Sequence, residues 1–226
     1  DGMLDPSIYG TGEYPDIDGD GTLVEVEDGM LTTLVAYLAQ LEAPAINVPP
    51  DPTLGSRFGR GRRVFDEVGC DDCHRAQLLL RNPVIETGPE QKVYLEDMVV
   101  RPPIQIDVSV DGEHPKISPT GLPRSAYEVE LFSDLKRHDM GPELASSRVH
   151  AGVQPSFFLT RPLWGLADTA PYMHDGRAPT IADAIEMHGG EAEDSSNLFR
   201  AANDDDRQAL LVFLSSLGRT PKIFIP

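Results

Sequence analysis

The chain has 226 residues, 40% of them hydrophobic and 25% charged, with a formal net charge of -18. That length supports a real core in one large domain or two small ones, and the hydrophobic share excludes global disorder. The acidity excludes a nucleic-acid binder, which needs basic patches, and no run approaches the roughly 18 apolar residues of a membrane span.

The opening residues are rich in Gly, Pro and Asp and show neither a charged n-region nor an apolar h-region. The expectation is a processed product or a fragment. Residues 16–27 then fit the calcium-loop pattern D-x-D-x-D-G-x5-E. Asp16, Asp18 and Asp20 would supply carboxylate oxygens, Gly21 the sharp turn, Thr22 a backbone carbonyl and Glu27 a bidentate carboxylate. Val24 departs from the usual polar ligand position, and no entering helix precedes the loop, so it reads as an isolated structural clip for Ca2+. The alternative is an acidic, Gly-rich turn without metal.

Met30, Leu31, Leu34, Val35, Leu38 and Leu41 recur at helical spacing, which predicts an amphipathic helix over 27–41. Pro44, Pro49, Pro50 and Pro52 make a linker. The expected domains are therefore 1–52, a calcium-loop and helix segment with a Pro-rich linker, and 53–226. A second helix is expected over 55–68.

Both cysteines of the chain follow at once, in Cys70-Asp71-Asp72-Cys73-His74. Cys-x-x-Cys-His is the attachment signal of a c-type haem. Each thiol can form a thioether to a haem vinyl group, and the adjacent His74 is then delivered to one axial face of the iron. A thioredoxin-like pair has no need of the histidine, and a zinc site would usually show a second Cys/His pair at ligand spacing, which is absent. The reading is one covalent haem, with an extracytoplasmic, periplasm-like location because the attachment machinery works there. An acidic surface then fits a basic redox protein as partner, steered in by long-range attraction. The alternative is that the acidity serves solubility or a saline habitat.

Beyond His74, 93–100 and 104–110 are rich in β-branched residues and flank Arg101-Pro102-Pro103, which predicts a small β excursion. Helical pattern returns over 179–188, opened by Thr180 or Pro179. A last helix is expected over about 204–217, with Leu210, Phe213, Leu214 and Leu217 on one face and Gly218 at its end. The expected fold class is mainly α: a cytochrome c-like haem domain with a small β insert and an N-terminal calcium-loop segment. No internal repeat supplies a second haem site.

Thr160-Arg161-Pro162-Leu163-Trp164-Gly165-Leu166, the run from Thr169 through Pro171, Tyr172, His174 and Asp175 to Arg177, and IEMHGGEA over 185–192 resemble the C-terminal haem domain of the bacterial di-haem cytochrome c peroxidase superfamily. The likeness is closer to its di-haem oxidoreductase branch, sometimes labelled thiol oxidoreductase, which 132–141 also resembles. That family carries two Cys-x-x-Cys-His motifs per chain, and this sequence has one. The resemblance therefore implies the electron-receiving half: a c-type cytochrome electron-transfer domain or subunit with one six-coordinate haem. The alternative is a peroxidase-like oxidoreductase whose catalytic haem lies on a second haem-bearing chain or a removed segment. An acid/base group would then be needed, and Glu86, Glu90 and His138 are available without spacing that picks one out.

The resemblance also places the sixth iron ligand. The peroxidases put a methionine, and a tryptophan-modifying branch a tyrosine, where this chain has His188. Met187 competes, but it lies about 100° away around a helix of 3.6 residues per turn; Met140 and His138 are further candidates. His174 is expected to order a loop over the haem edge, with Arg161 or Arg177 offered to a propionate. Trp164 reads as packing or as an aromatic step at the edge where electrons enter or leave.

Overall fold

A computed structural model of the chain describes residues 28–40, 45–86, 105–109, 118–119, 127–147 and 152–218. The expected calcium loop, 16–27, and the β-rich stretch 93–100 lie outside them. The chain divides into two compact units, one formed by Asp1–Leu41 with Asn82–Pro115 and the other by Glu42–Arg81 with Lys116–Pro226.

In the first unit, helix α1 (Asp28–Gln40) follows the predicted helical spacing. The second unit begins with strand β1 (Ala45–Ile46) and helix α2 (Pro52–Glu67). Asp51 caps α2, its Oδ1 accepting from the Thr53 amide at 3.0 Å and the Leu54 amide at 2.9 Å, with Pro52 in the first turn where no amide is needed. Strand β2 (Leu78–Leu80) follows, and β3 (Val84–Glu86) pairs antiparallel with β4 (Gln105–Asp107) within the first unit, aligning Ile85 with Ile106. The second unit resumes with β5 (Ser118–Pro119), β6 (Tyr127–Val129), β7 (Arg137–Asp139) and β8 (Phe157–Leu159). Helices α3 (Ile181–Glu186), α4 (Glu193–Ala201) and α5 (Asp204–Leu214) come next, and β9 (Leu217–Gly218) follows.

The core of the second unit sits where α2 crosses α5. Gly61 makes the approach possible: a Cβ there would overlap the Ala209 carbonyl and lie 2.8 Å from Phe213 Cβ. Phe65, Phe132 and Phe213 meet edge to face, with centroids 5.5 to 6.0 Å apart. The Arg62 guanidinium lies 5.4 to 5.9 Å from the same three centroids. At the rim, Arg60 forks onto Asp206, Nε to Oδ1 at 2.6 Å and Nη2 to Oδ2 at 2.9 Å. Strand β9 turns back onto β1, pairing Ile46 with Leu217.

The expected mainly α, cytochrome-like class is corrected by this architecture. Among the described residues helix accounts for 44% and strand for 17%, and the strands form four small antiparallel sheets instead of one insert. Strands of two or three residues are too short to show the alternation from which strands are read. The last helix also stops at Leu214, because Leu217 is taken into β9.

Candidate haem site

Gly69, at φ 77, turns the chain out of α2 and into a 3-10 turn over Cys70–Asp72. A left-handed residue is needed there, and glycine adopts it without strain. The His74 amide closes the turn on the Cys70 carbonyl at 2.9 Å. Both thiols are free and partly buried. Burial, then neighbouring Asp71 and Asp66, push the Cys70 thiol up to about 12, and burial followed by Asp134 raises that of Cys73.

His74 Nδ1 lies 3.0 Å from the Phe132 carbonyl oxygen. A carbonyl only accepts, so Nδ1 carries the hydrogen and Nε2 keeps its lone pair for a metal. Burial pulls the imidazole pKa down to about 4, so the ring is neutral at physiological pH. The irregular run behind it, with Phe132 at φ 52, is fixed by Ser133, whose amide donates to the Arg75 carbonyl at 2.9 Å.

His188 is presented two residues past the end of α3. Thr180 caps that helix reciprocally with Asp183: Thr180 Oγ1 accepts from the Asp183 amide at 3.1 Å, and the Thr180 amide donates to Asp183 Oδ2 at 3.2 Å. His188 Nδ1 donates to the Ala184 carbonyl at 2.6 Å, which again leaves Nε2 as the free donor atom, and burial lowers its pKa. The His74 and His188 rings are 6.5 Å apart at their centroids, with planes 58° apart. Two metal–imidazole bonds of about 2.0–2.1 Å account for some 4 Å of such a separation, and the two ring half-widths for the rest. Two neutral imidazoles and a thiol pair at one turn therefore fit a covalently held haem iron.

The structure also accounts for the other candidates. His138 has both nitrogens on carboxylates, Nδ1 donating to Glu191 Oε2 at 2.8 Å and Nε2 to Asp134 Oδ2 at 3.0 Å, so neither lone pair is open to iron. Met187 is 37% exposed, and Met140 follows β7 with its amide on the Ser156 carbonyl. His174 is exposed and stacks on Phe158 at 4.6 Å. Arg177 is held by Asp175, at 2.7 Å through Nε, and by the Glu143 carbonyl at 2.8 Å. Arg161 is exposed. The Trp164 indole donates to the Glu130 carbonyl at 2.8 Å and borders a shallow cleft with Ile46, Phe132 and Leu217. Glu86 accepts from Gln105 in the first unit, and Glu90 lies outside the described residues. Among the described residues no group of three or more His, Cys, Asp or Glu side chains forms a further metal cluster.

Sequence reasoning missed Glu191. It sits three residues past His188 on a 3-10 turn over Gly190–Ala192, and its Oε1 accepts from the Asp139 amide at 2.9 Å. In a chain this acidic, one more glutamate carries no signal.

A thiol pair with two neutral imidazoles 6.5 Å apart is a donor set that fits haem. Residues 112–217 match the family model described as "Di-haem oxidoreductase, putative peroxidase", the branch that the motifs resemble. Haem is the cofactor that this match assigns. The matched stretch contains His138, His188 and Glu191 and leaves Cys70, Cys73 and His74 outside it. No curated protein is similar enough to this chain to count as a match.

Proposed function

We propose that this chain is an electron-transfer domain carrying one haem c, bound through Cys70 and Cys73 and axially held by His74 and His188. The observation that carries the reading is the pair of imidazoles 6.5 Å apart at their centroids, each with Nδ1 tied to a backbone carbonyl. Bound there, the haem would supply a one-electron iron couple. The protein's part is to leave both Nε2 atoms free by tying each Nδ1 to a carbonyl, and to keep both rings neutral through burial, so that neither must lose a proton before binding the metal.

A haem held by both His74 and His188 would leave peroxide no open site unless His188 let go. That favours electron transfer by this chain over autonomous peroxidase chemistry. The peroxidase-like alternative, with a second haem on another chain or a removed segment, is favoured by the family description and by the single Cys-x-x-Cys-His motif. The partner proposed is a redox protein with a basic face, since Asp71 and Asp72 are exposed on the attachment turn itself. Covalent c-type attachment supports a periplasmic or other extracytoplasmic location, and no helix among the described residues is long and apolar enough to cross a membrane. Calcium at 16–27 rests on its sequence pattern alone, and a melting curve insensitive to EDTA would count against it.

The deciding experiment is the ferric spectrum of the native protein and of His188→Ala. A low-spin bis-imidazole spectrum in the wild type, turning high-spin in the variant, supports the reading. An unchanged variant spectrum removes His188 as ligand, and rapid peroxide turnover by the isolated wild-type chain removes the electron-transfer assignment.

A further inference from the structure

We propose that Glu191 and His138 are a positioning pair that holds His188 in place against His74. The proposal rests on the reading of His188 as the sixth ligand.

The His188 ring is tied through Nδ1 only four residues back, to Ala184. That bond fixes the ring on its own segment and does nothing to place the segment relative to His74. Ile181, Ala182 and Ile185 pack α3 on the core, and Glu191 adds a directional tie on the far side of His188. Its two carboxylate oxygens take two donors from one strand, His138 Nδ1 at 2.8 Å and the Asp139 amide at 2.9 Å. The backbones meet as well: a Cβ on Gly190, which has φ 55, would overlap the Asp139 carbonyl and lie 2.5 Å from the Gly141 amide nitrogen.

From His138 the chain of bonds runs on to the other ligand. Nε2 donates to Asp134, whose side chain is 4% exposed. Asp134 lies two residues beyond Phe132, whose carbonyl accepts from His74 Nδ1. One run of chain, 132–139, therefore supports both imidazoles, directly at one end and through Glu191 at the other. An imidazole donating from both nitrogens is an imidazolium, and Glu191 first, then Asp134, raise its pKa accordingly. The positive ring neutralises two carboxylates that would otherwise repel across the joint.

The inference is tested on the haem-loaded protein with Glu191→Ala, Glu191→Gln and His138→Gln, and with His188→Ala as reference. The readouts are the ferric spin state and the rate at which carbon monoxide binds the ferrous protein, which requires the sixth ligand to leave. Glu191→Ala should bind carbon monoxide at least about tenfold faster than wild type, the scale on which partners outside the ligand shell tune a metal site. Glu191→Gln, which keeps an acceptor for the Asp139 amide, should fall between. A Glu191→Ala protein with the wild-type rate and spin state, whatever its melting temperature, overturns the proposal. If that variant does not fold, Glu191→Gln and His138→Gln decide by the same comparison, and wild-type behaviour in both overturns it. The two readings fail separately: an unchanged His188→Ala rate sinks the ligand assignment, whereas a fast His188→Ala with slow Glu191 variants sinks the positioning pair alone.

Discussion

Gly61 and Ala209 touch backbone to backbone at the crossing of α2 and α5. With any side chain at 61 the helices must separate, because the obstructing atoms are the Ala209 carbonyl and Phe213 Cβ, neither of which can swing away. Overpacking of this kind costs about 1–3 kcal/mol, or roughly 2–12 °C in melting temperature for a domain of this size. Gly61→Ala should melt that much lower, with Gly61→Val worse. An unchanged melting temperature would mean that the helices do not meet there.

Replacing His188 by methionine tests the site from the side of potential. A thioether ligand raises the reduction potential relative to a second imidazole. His188→Met should titrate at a higher potential and gain the far-red band of methionine-ligated ferric haem. A variant with the wild-type potential and no such band would place the sixth ligand elsewhere.

The His138 bridge predicts a pH window. Glu191 and Asp134 hold the His138 pKa above its ordinary value of about 6.5, so its contribution is complete below that value and is lost as pH rises through the folded one. Glu191 runs the other way. The Asp139 amide and then His138 hold it below its ordinary range, so its contribution is present above about pH 4.3 and is lost as pH falls through the folded value. Burial raises the neighbouring Asp134, but the Lys136 amide and His138 outweigh it, and His74, already neutral, is the other titrating ring nearby. His138→Gln should therefore destabilise most between about pH 4.3 and 6.5, by about 1–3 kcal/mol for the buried carboxylate left short of its partner. The gap between the wild-type and variant melting temperatures should close as pH rises further. A gap that widens with alkalinity would contradict the assigned charge.

Trp164→Phe separates packing from electron passage. The variant loses the indole bond to the Glu130 carbonyl, a loss of about 0.5–1.5 kcal/mol, and keeps an aromatic ring beside Leu217. A lower melting temperature with an unaltered rate of reduction by a small-molecule donor assigns Trp164 to packing. A slowed rate at unaltered stability assigns it to the electron route.

Part of this site is legible in the sequence because the covalent haem attachment proposed for it uses a contiguous motif. Attachment of haem needs Cys70, Cys73 and His74 side by side, so the motif survives as a contiguous string. His188 has no such neighbour, and it emerged only through resemblance. The helix at 28–40 is legible in its spacing, whereas Pro52, taken as the end of a linker, opens α2 three residues before the expected start, and α4 carries no reading at all. Glu191 was invisible because its meaning lies in a strand more than fifty residues away in sequence, and β7 was invisible because three residues cannot alternate convincingly. Sequence periodicity reports a face that is buried along an element; it does not report which distant backbone that element will meet.

The Arg60 to Asp206 fork joins residues 146 apart in sequence. A loop that long carries a large closure entropy, and contacts of such separation slow folding. Cys70 lies three residues past α2 and packs against the core that α5 completes, so its burial depends on that late closure. The nascent chain should therefore hold its thiols open to an attachment enzyme for as long as the two helices remain apart, and Trp164, the chain's single tryptophan, offers a way to time it. Thiol labelling during refolding of the haem-free chain should fall off together with the change in Trp164 fluorescence, which reports the cleft with Phe132 and Leu217; thiols protected well before that change would show that the turn closes before this part of the core forms.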